Sequence, residues 1–448
     1  MEVNLQQMLE ARENRASRQF SAVKQFGLPI VSFTMNIPGP VKDSPLIRRA
    51  FREGCRVLEY RLPENSLKHR EIVSARTGNE ALYAVSMDAL ELKRLTTVIE
   101  DSHGLGRLFD MDVIDTRFEK LERSRVNGAG RNCIVCGAPG ADCASRRLHS
   151  VEELQQAARG IMCEYFRRTD AEIIASHAVQ SLIDEVCTTP KPGLVDCSNC
   201  GSHSDMDIFS FSAGASALFP YFEKCVCTGQ QTAEASPEKC FALLRAEGLN
   251  AEQRMFEFTG GENTHKGAVF SLGIMCGAAG RVWRPEGGCC EEDLFAQAAA
   301  LADTAARKDL ASPFTDSNGL RLYASLGIKG IRGEAAAGFP SVKNTGLPAF
   351  REYLSKGMGK NYAGVLTLLQ LAACVADTNM LHRGGPEGAA AGRERAKALV
   401  ADGRIPKADE VRKLDEWFIE NNLSPGGCAD LLAIVYFVEH LTEENKKT

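Results

Sequence analysis

Gly104-Leu105-Gly106-Arg107-Leu108-Phe109-Asp110-Met111-Asp112-Val113 decides how the first part of the chain is read. A glycine-rich turn leads into a short run in which apolar and acidic side chains alternate. In a strand, side chains at i and i+2 share a face. Asp110 and Asp112 then point together, with Phe109, Met111 and Val113 on the other side. Further short strand candidates at 31–35 and 81–85, and helical stretches at roughly 5–25 and 88–100, complete an α+β pattern for residues 1 to about 160.

The texture then changes. Ser150-Val151-Glu152-Glu153 is a capping-box signature that opens a helix, so the seam is expected inside a helix in 150–175, with domains at 1–165 and 166–448. The second part is rich in Ala, Leu and Gly. Its long helical periodicities cover 171–187, 207–223, 238–256, 264–281, 291–308, 362–376 and 428–442, which predicts an all-α domain with functional loops between helices. A length of 448 residues agrees with two or three domains. The net charge of -5 argues against a nucleic-acid binder. There is no apolar run long enough for a membrane span, and the polar N-terminus lacks the apolar core of an export signal. The sixteen cysteines therefore read as reduced thiols in the cytoplasm, some of them able to bind metal.

Several constellations carry chemistry. Two convergent carboxylates, Asp110 and Asp112, suit a hard cation such as Mg²⁺, and a glycine turn, strand and Asp-x-Asp is a pattern that nucleotidyl-type transferases use for metal-bound phosphates. Lys42, closing the rigid loop Asn36-Ile37-Pro38-Gly39-Pro40-Val41-Lys42, and Arg107 are cations that could meet a phosphate. Arg12 and Arg15 stand one helical turn apart. Cys133, Cys136, Cys143 and His149 offer a tetrahedral Zn²⁺ donor set, though the spacing fits no standard finger. In the second part, Lys191 sits in a Pro/Gly loop, and His203, Asp205 and Asp207 form a metal or acid/base candidate ahead of a helix, with N-capping as the simpler reading. Gly260-Gly261-Glu262-Asn263-Thr264-His265-Lys266-Gly267 aims free N–H groups of a helix start at an anion. Lys266 in that first turn is unfavourable unless a phosphate is present, and His265 either donates to the ligand or packs. The glycine-rich stretch from Gly327 carries Lys329, Arg332 and Glu334 as a basic loop. Asp377, Asn379 and Arg383 read as solvated, and Asp430 as structural or a ligand.

Arg12…Arg15, Thr34 to Lys42, Gly106 to Val113 and Arg131 through Cys136, Cys143 and His149 together resemble the apo-citrate lyase phosphoribosyl-dephospho-CoA transferases (holo-citrate-lyase acyl carrier protein synthases). The resemblance implies transfer of a phosphoribosyl-dephospho-CoA group to a serine of the citrate lyase acyl carrier (gamma) subunit, with pyrophosphate leaving. It also implies a nucleotidyltransferase-like mixed sheet with helices. Asp110 and Asp112 would hold Mg²⁺ on the pyrophosphate, with Lys42 and Arg107 neutralising its charge.

Thr189 to Asp196, Gly201 to Asp207, Asn263 to Gly267, Gly330 to Ala335, Gly338 to Val342, Asp377 to Asn379 and Ser424 to Leu432 form an ordered set over about 175–440. This set resembles the triphosphoribosyl-dephospho-CoA synthase family, with Glu262 and Cys428 as departures from its pattern. The implied reaction is ATP plus 3′-dephospho-CoA giving 2′-(5″-triphosphoribosyl)-3′-dephospho-CoA plus adenine. For that reaction Asp205 or Glu334 is expected to be the general base, Asp205 and Asp207 to hold a Mg²⁺, and Lys191, Lys266 and Arg332 to hold phosphates, with His203, Asn263 and His265 as further nucleotide ligands. The two resemblances are consecutive steps, which a fusion would serve by raising the local concentration of the intermediate. The analogous system of malonate decarboxylase, and a non-catalytic zinc-stabilised scaffold for lyase subunits, are the alternatives.

Overall fold

The computed structural model describes residues 2–310 and 330–447. The glycine-rich stretch from Gly327 to Lys329 lies outside them. The chain divides into two compact units, Met1–Arg167 with Pro285–Gly287, and Arg168–Arg284 with Gly288–Thr448. No single helix among the described residues is long and apolar enough to cross a membrane.

The first unit contains α1 (Leu5–Phe26), β1 (Ile30–Met35), α2 (Pro45–Arg61), β2 (Leu67–Ala75), β3 (Gly78–Val85), α3 (Ala89–Ser102), β4 (Phe109–Ile114) and the short α4 (Gly140–Arg146). The four strands are ordered β2-β3-β1-β4. Every pairing in this sheet is antiparallel, which corrects the expected mixed sheet. Alternation splits each strand between two faces. One face buries Val31, Phe33, Ala81, Tyr83, Phe109, Met111 and Val113. Phe33 stacks on Phe51 of α2 at 5.0 Å and meets Phe109 edge-on at 5.4 Å. The other face has an apolar end, where Ala22 and Val23 of α1 cover Ile30, Leu82 and Ala84. Its polar end sets Ser32 opposite Asp112 and Thr34 opposite Asp110.

The helix α5 (Val151–Cys187) carries the division between the units. It begins as its capping box dictates: Ser150 N donates to Glu153 Oε2 at 2.7 Å and Glu153 N to Ser150 Oγ at 3.1 Å. Every regular element of the second unit among the described residues is a helix. It comprises α6 (Ile208–Ala217), α7 (Phe219–Gln231), α8 (Pro237–Thr259), α9 (Lys266–Arg281), α10 (Glu291–Leu310), α11 (Gly330–Ala336), α12 (Leu347–Ser355), α13 (Lys360–Cys374), α14 (Thr378–Val400), α15 (Ala408–Glu420) and α16 (Gly426–Lys447). The nearly all-buried α9 crosses α7 through glycines. A Cβ at Gly229 would stand 2.1 Å from the Gly277 carbonyl oxygen, and one at Gly280 2.1 Å from that of Val226. Asp377 is buried rather than solvated. Its Oδ1 caps α14 through Asn379 N (2.8 Å) and Met380 N (3.1 Å), and its Oδ2 accepts Cys428 N of α16 at 2.8 Å.

Candidate functional sites

In the first unit Asp110 and Asp112 share a face, as the strand period requires, with Phe109, Met111 and Val113 buried behind them. Asp112 pairs with Lys120 at 2.7 Å. Asp110 has no hydrogen bond or ion pair among the described residues. Burial and then the Asp112 charge raise its carboxyl above the usual range. A carboxylate pair in which one member makes no direct ion pair among the described residues fits a divalent cation. Along the edge of β4 that no strand pairs, buried Glu100 accepts Met111 N at 2.8 Å and pairs with Arg123 at 2.6 Å and with Arg131. Arg131 Nη1 also donates to the Phe109 carbonyl at 2.8 Å. Arg15 is occupied by Glu80 at 3.3 Å.

Two cations are crowded by others of like sign. Lys42 donates to the Ile37 carbonyl, and burial and the Arg12 guanidinium lower its pKa. Arg107 donates to the Asn132 carbonyl and is lowered by burial, then by Arg131 and Arg123. Cations held this way favour an incoming anion.

The Arg107 contact leads into the Cys/His cluster. Cys133 and Cys136 lie on a tight turn closed by Cys133 N to the Ala138 carbonyl at 2.7 Å, Cys143 on α4, and His149 beyond it. One donor atom from each of Cys133, Cys136, Cys143 and His149 lies within 4.8 Å of all the others. Cys136 Sγ is 3.4 Å from Cys143 Sγ and 3.3 Å from His149 Nε2. Zn–S bonds of about 2.3 Å set tetrahedral ligand atoms roughly 3.8 Å apart, so three thiols and an imidazole at these separations fit zinc. N–H groups of Cys136 and Val135 draw the Cys133 thiol down to about 7, which favours the thiolate a metal binds.

The second unit has a cavity of about 900 Å³, in the range that takes a nucleotide-sized ligand. Lys191, His203, Asn263, His265, Lys266 and Arg332 all line it. Asp205, Asp207 and Glu334 are not among its lining residues. Asp207 is the N-cap of α6, its Oδ1 accepting Phe209 N and Ser210 N at 2.9 Å each. Asp205 is exposed. Glu334 accepts from Ser341 Oγ at 2.7 Å and Ser341 N at 3.1 Å.

Within the cavity wall Lys191 is fully buried and pairs with Glu185. Lys266 reaches Glu252 at 3.1 Å and stays half exposed. Arg383 donates to His203 Nδ1 at 3.2 Å and to the Ser202 carbonyl at 2.7 Å. Arginine has no acceptor, so Nδ1 carries the lone pair and Nε2–H donates to Ser424 Oγ at 3.0 Å. Burial and Arg383 lower the His203 pKa, which agrees with this neutral tautomer. Thr264 Oγ1 is buried without a hydrogen-bond partner among the described residues. Sequence reasoning missed Glu185 and Arg245 as lining residues, since no local motif marks them.

His265 donates from Nε2 to the Phe211 carbonyl at 2.9 Å, and burial lowers its pKa to about 4. The unfolded imidazole, with its ordinary value of 6.5, binds a proton first as pH falls. Stability is therefore present above pH 6.5 and lost downward toward pH 4, at up to about 1.4 kcal/mol per pH unit. Trp283 and Trp417 are the chain's two tryptophans and both lie in the second unit. Urea unfolding followed by tryptophan fluorescence should show this slope, flattened in His265→Asn.

The family model described as CitX, apo-citrate lyase phosphoribosyl-dephospho-CoA transferase, matches residues 3–165. That described as CitG, ATP:dephospho-CoA triphosphoribosyl transferase, matches residues 171–448. The chain is 33% identical to the protein CitXG of Haemophilus influenzae, over 97% of this chain and 96% of that one. It is 31% identical to the protein CitXG of Leuconostoc mesenteroides subsp. cremoris, over 98% and 97%. It is 37% identical to the 2-(5″-triphosphoribosyl)-3′-dephosphocoenzyme-A synthase of Klebsiella pneumoniae, over 60% of this chain and 90% of the synthase.

Proposed function

Because the chain belongs to the family of fused CitXG proteins, we propose that each unit carries one of two consecutive steps, with the residues described above in defined roles. The chain is a bifunctional transferase that makes and attaches the citrate lyase prosthetic group. Residues 166–448 join the ATP ribose to 3′-dephospho-CoA and release adenine. Residues 1–165, read as nucleotidyltransferase-like, pass the phosphoribosyl-dephospho-CoA group to a serine of the citrate lyase acyl carrier subunit and release pyrophosphate. The cytoplasm, where thiols stay reduced and both substrates occur, is the setting.

The observation that carries the first step is the cavity that gathers Lys191, His203, Asn263, His265, Lys266 and Arg332. The reaction keeps the triphosphate whole, so the site must hold polyphosphate charge without cleaving it. Lys266 and Arg332 suit this work, Lys266 standing at the start of α9 where N–H groups and the helix dipole also favour anions. Lys191 adds its charge from a pair with Glu185. Asp205, with the uncapped Oδ2 of Asp207, is the Mg²⁺ candidate, and Asp205 or Glu334 the base toward the ribose hydroxyl. In the first unit Asp110 and Asp112 are the Mg²⁺ ligands, with Lys42 and Arg107 facing the leaving pyrophosphate. When bound, the cation supplies charge neutralisation on that leaving group.

The test is direct. Full-length protein with ATP and dephospho-CoA should release adenine, detected by chromatography, with the triphosphate retained in the product. Adding apo acyl carrier of citrate lyase should then shift the carrier's mass, while that of malonate decarboxylase should not shift. No adenine from the full-length protein overturns the reading.

Cys133, Cys136, Cys143 and His149 are proposed to hold one structural Zn²⁺. The turn they would staple carries Asn132, which holds Arg107. Elemental analysis should find about one zinc per chain. Chelation should lower carrier modification at least tenfold and leave adenine release unchanged. Equal loss of both activities would remove the assignment.

A further inference from the structure

Asp430 is a carboxyl in the cavity of the second unit to which no role is assigned above. It lies in the first turns of α16 and lines the cavity with Lys191, Lys266 and Arg332. A Cβ at residue 267 would stand 1.9 Å from Asp430 Oδ2. Only glycine at 267, in the first turn of α9, lets the carboxyl reach this place. No hydrogen bond or ion pair engages its oxygens among the described residues. A polar group so enclosed is costly to leave unsatisfied, and here it has kept access to the cavity.

The charges around it decide its state. Glu185 of α5 and Asp377, ahead of α14, add negative potential. Lys191 is already paired with Glu185, Lys266 with Glu252, and Arg332 lies across the cavity wall. Burial first, and then the two carboxylates, raise the Asp430 pKa well above the carboxylate range. The carboxyl therefore carries a proton where an ordinary aspartate would not.

Resting on the triphosphoribosyl transfer assigned above, we propose that Asp430 donates the proton that adenine carries away. The bond between the ATP ribose C1′ and adenine N9 breaks, its electron pair leaves with the base, and the Asp430 proton goes to that base. A C1′–O bond forms with the 2′-oxygen of dephospho-CoA. The hydroxyl proton goes to the base assigned above, Asp205 or Glu334, and returns through water to Asp430, so overall the hydroxyl hydrogen ends on adenine. An anionic adenine is a poor leaving group; protonation as the bond breaks is general acid catalysis, worth about 10²–10⁴-fold.

The experiment uses the full chain with ATP and dephospho-CoA, reading adenine release against pH and ATP affinity by calorimetry. Asp430→Asn should lower kcat about 10²–10⁴-fold with ATP affinity within about threefold, since the loss is confined to the transition state. Wild-type kcat should fall on the alkaline side as Asp430 loses its proton, and that limb should vanish from the residual activity of the variant. A kcat within about fivefold of wild type, or a loss carried wholly by ATP affinity, overturns the proposal. If Asp430→Asn fails to fold, the wild-type profile decides, because a kcat rising to an alkaline plateau is incompatible with an acid. Wild-type protein that releases no adenine overturns the assigned reaction itself, and an active wild type with an active variant overturns only the role of Asp430.

Discussion

Asp110→Asn should nearly abolish attachment of the prosthetic group to the acyl carrier while adenine release proceeds at the wild-type rate. Asp110 stands beside Asp112 on β4, opposite Thr34, and among the described residues makes no direct ion pair of the kind Lys120 makes with Asp112. Its carboxyl, raised by burial and by Asp112, recovers its charge when a cation binds, so a neutral amide removes the attraction that the site is built around. Loss of one such electrostatic contact costs about 10²–10³-fold in rate. The measurement is the mass of apo acyl carrier incubated with purified triphosphoribosyl-dephospho-CoA, which bypasses the first step. Carrier modification within fivefold of wild type would show that the aspartate pair does not serve the transfer. Asp110 is only partly exposed and unpaired, so the amide should leave the fold intact, and circular dichroism checks this.

Lys191→Met should destabilise the second unit by about 3–5 kcal/mol, the range for breaking a buried ion pair. Lys191 is fully buried and Glu185 nearly so. Removing the ammonium leaves the Glu185 carboxylate uncompensated in an enclosed wall that also holds Asp430. The double variant Glu185→Leu with Lys191→Met should recover much of the loss, because no orphan charge remains. Urea unfolding read by tryptophan fluorescence reports on this unit alone. A loss below about 1 kcal/mol for Lys191→Met would mean that the pair behaves as a solvated one. ATP affinity measured on both variants then separates the phosphate role of Lys191 from its structural one, since the double variant restores stability but not the cation.

Much of this was legible in the chain itself. The alternation in 109–113 placed Asp110 and Asp112 on one face, and the capping box at Ser150 and Glu153 opens α5 as written. The helical periods of the second part reappear as helices, except that 207–223 is divided between α6 and α7 at Leu218. Among the elements of the first unit that were missed, β2 and α2 were missed for different reasons. β2 is an edge strand whose residues Lys68, His69, Arg70 and Glu71 are polar, so it lacks a strong apolar alternation. α2 did carry signals, Ser44 as N-cap with Pro45 at the first turn and Leu46, Ile47, Ala50 and Phe51 on its buried face. The expected mixed sheet became antiparallel because a strand's own pattern does not state the direction of its neighbour.

Periodicity, capping residues and the ordered motifs depend on neighbours within a few residues, so the sequence alone determined the two-part architecture and the family resemblance. Which charges are spent and which are free depends on desolvation and on partners brought from elsewhere in the chain. Only the tertiary structure turned Asp207 into a cap, bound Glu334 to Ser341, buried Asp377 between two helix starts and joined Lys191 to Glu185. The same packing set Asp430 against Gly267, 163 positions away along the chain, with no hydrogen-bond or ion-pair partner among the described residues. A local reading favours structure for such an aspartate, because a lone buried carboxyl is expensive; only the cavity beside it, which no local pattern encodes, gives that expense a chemical use.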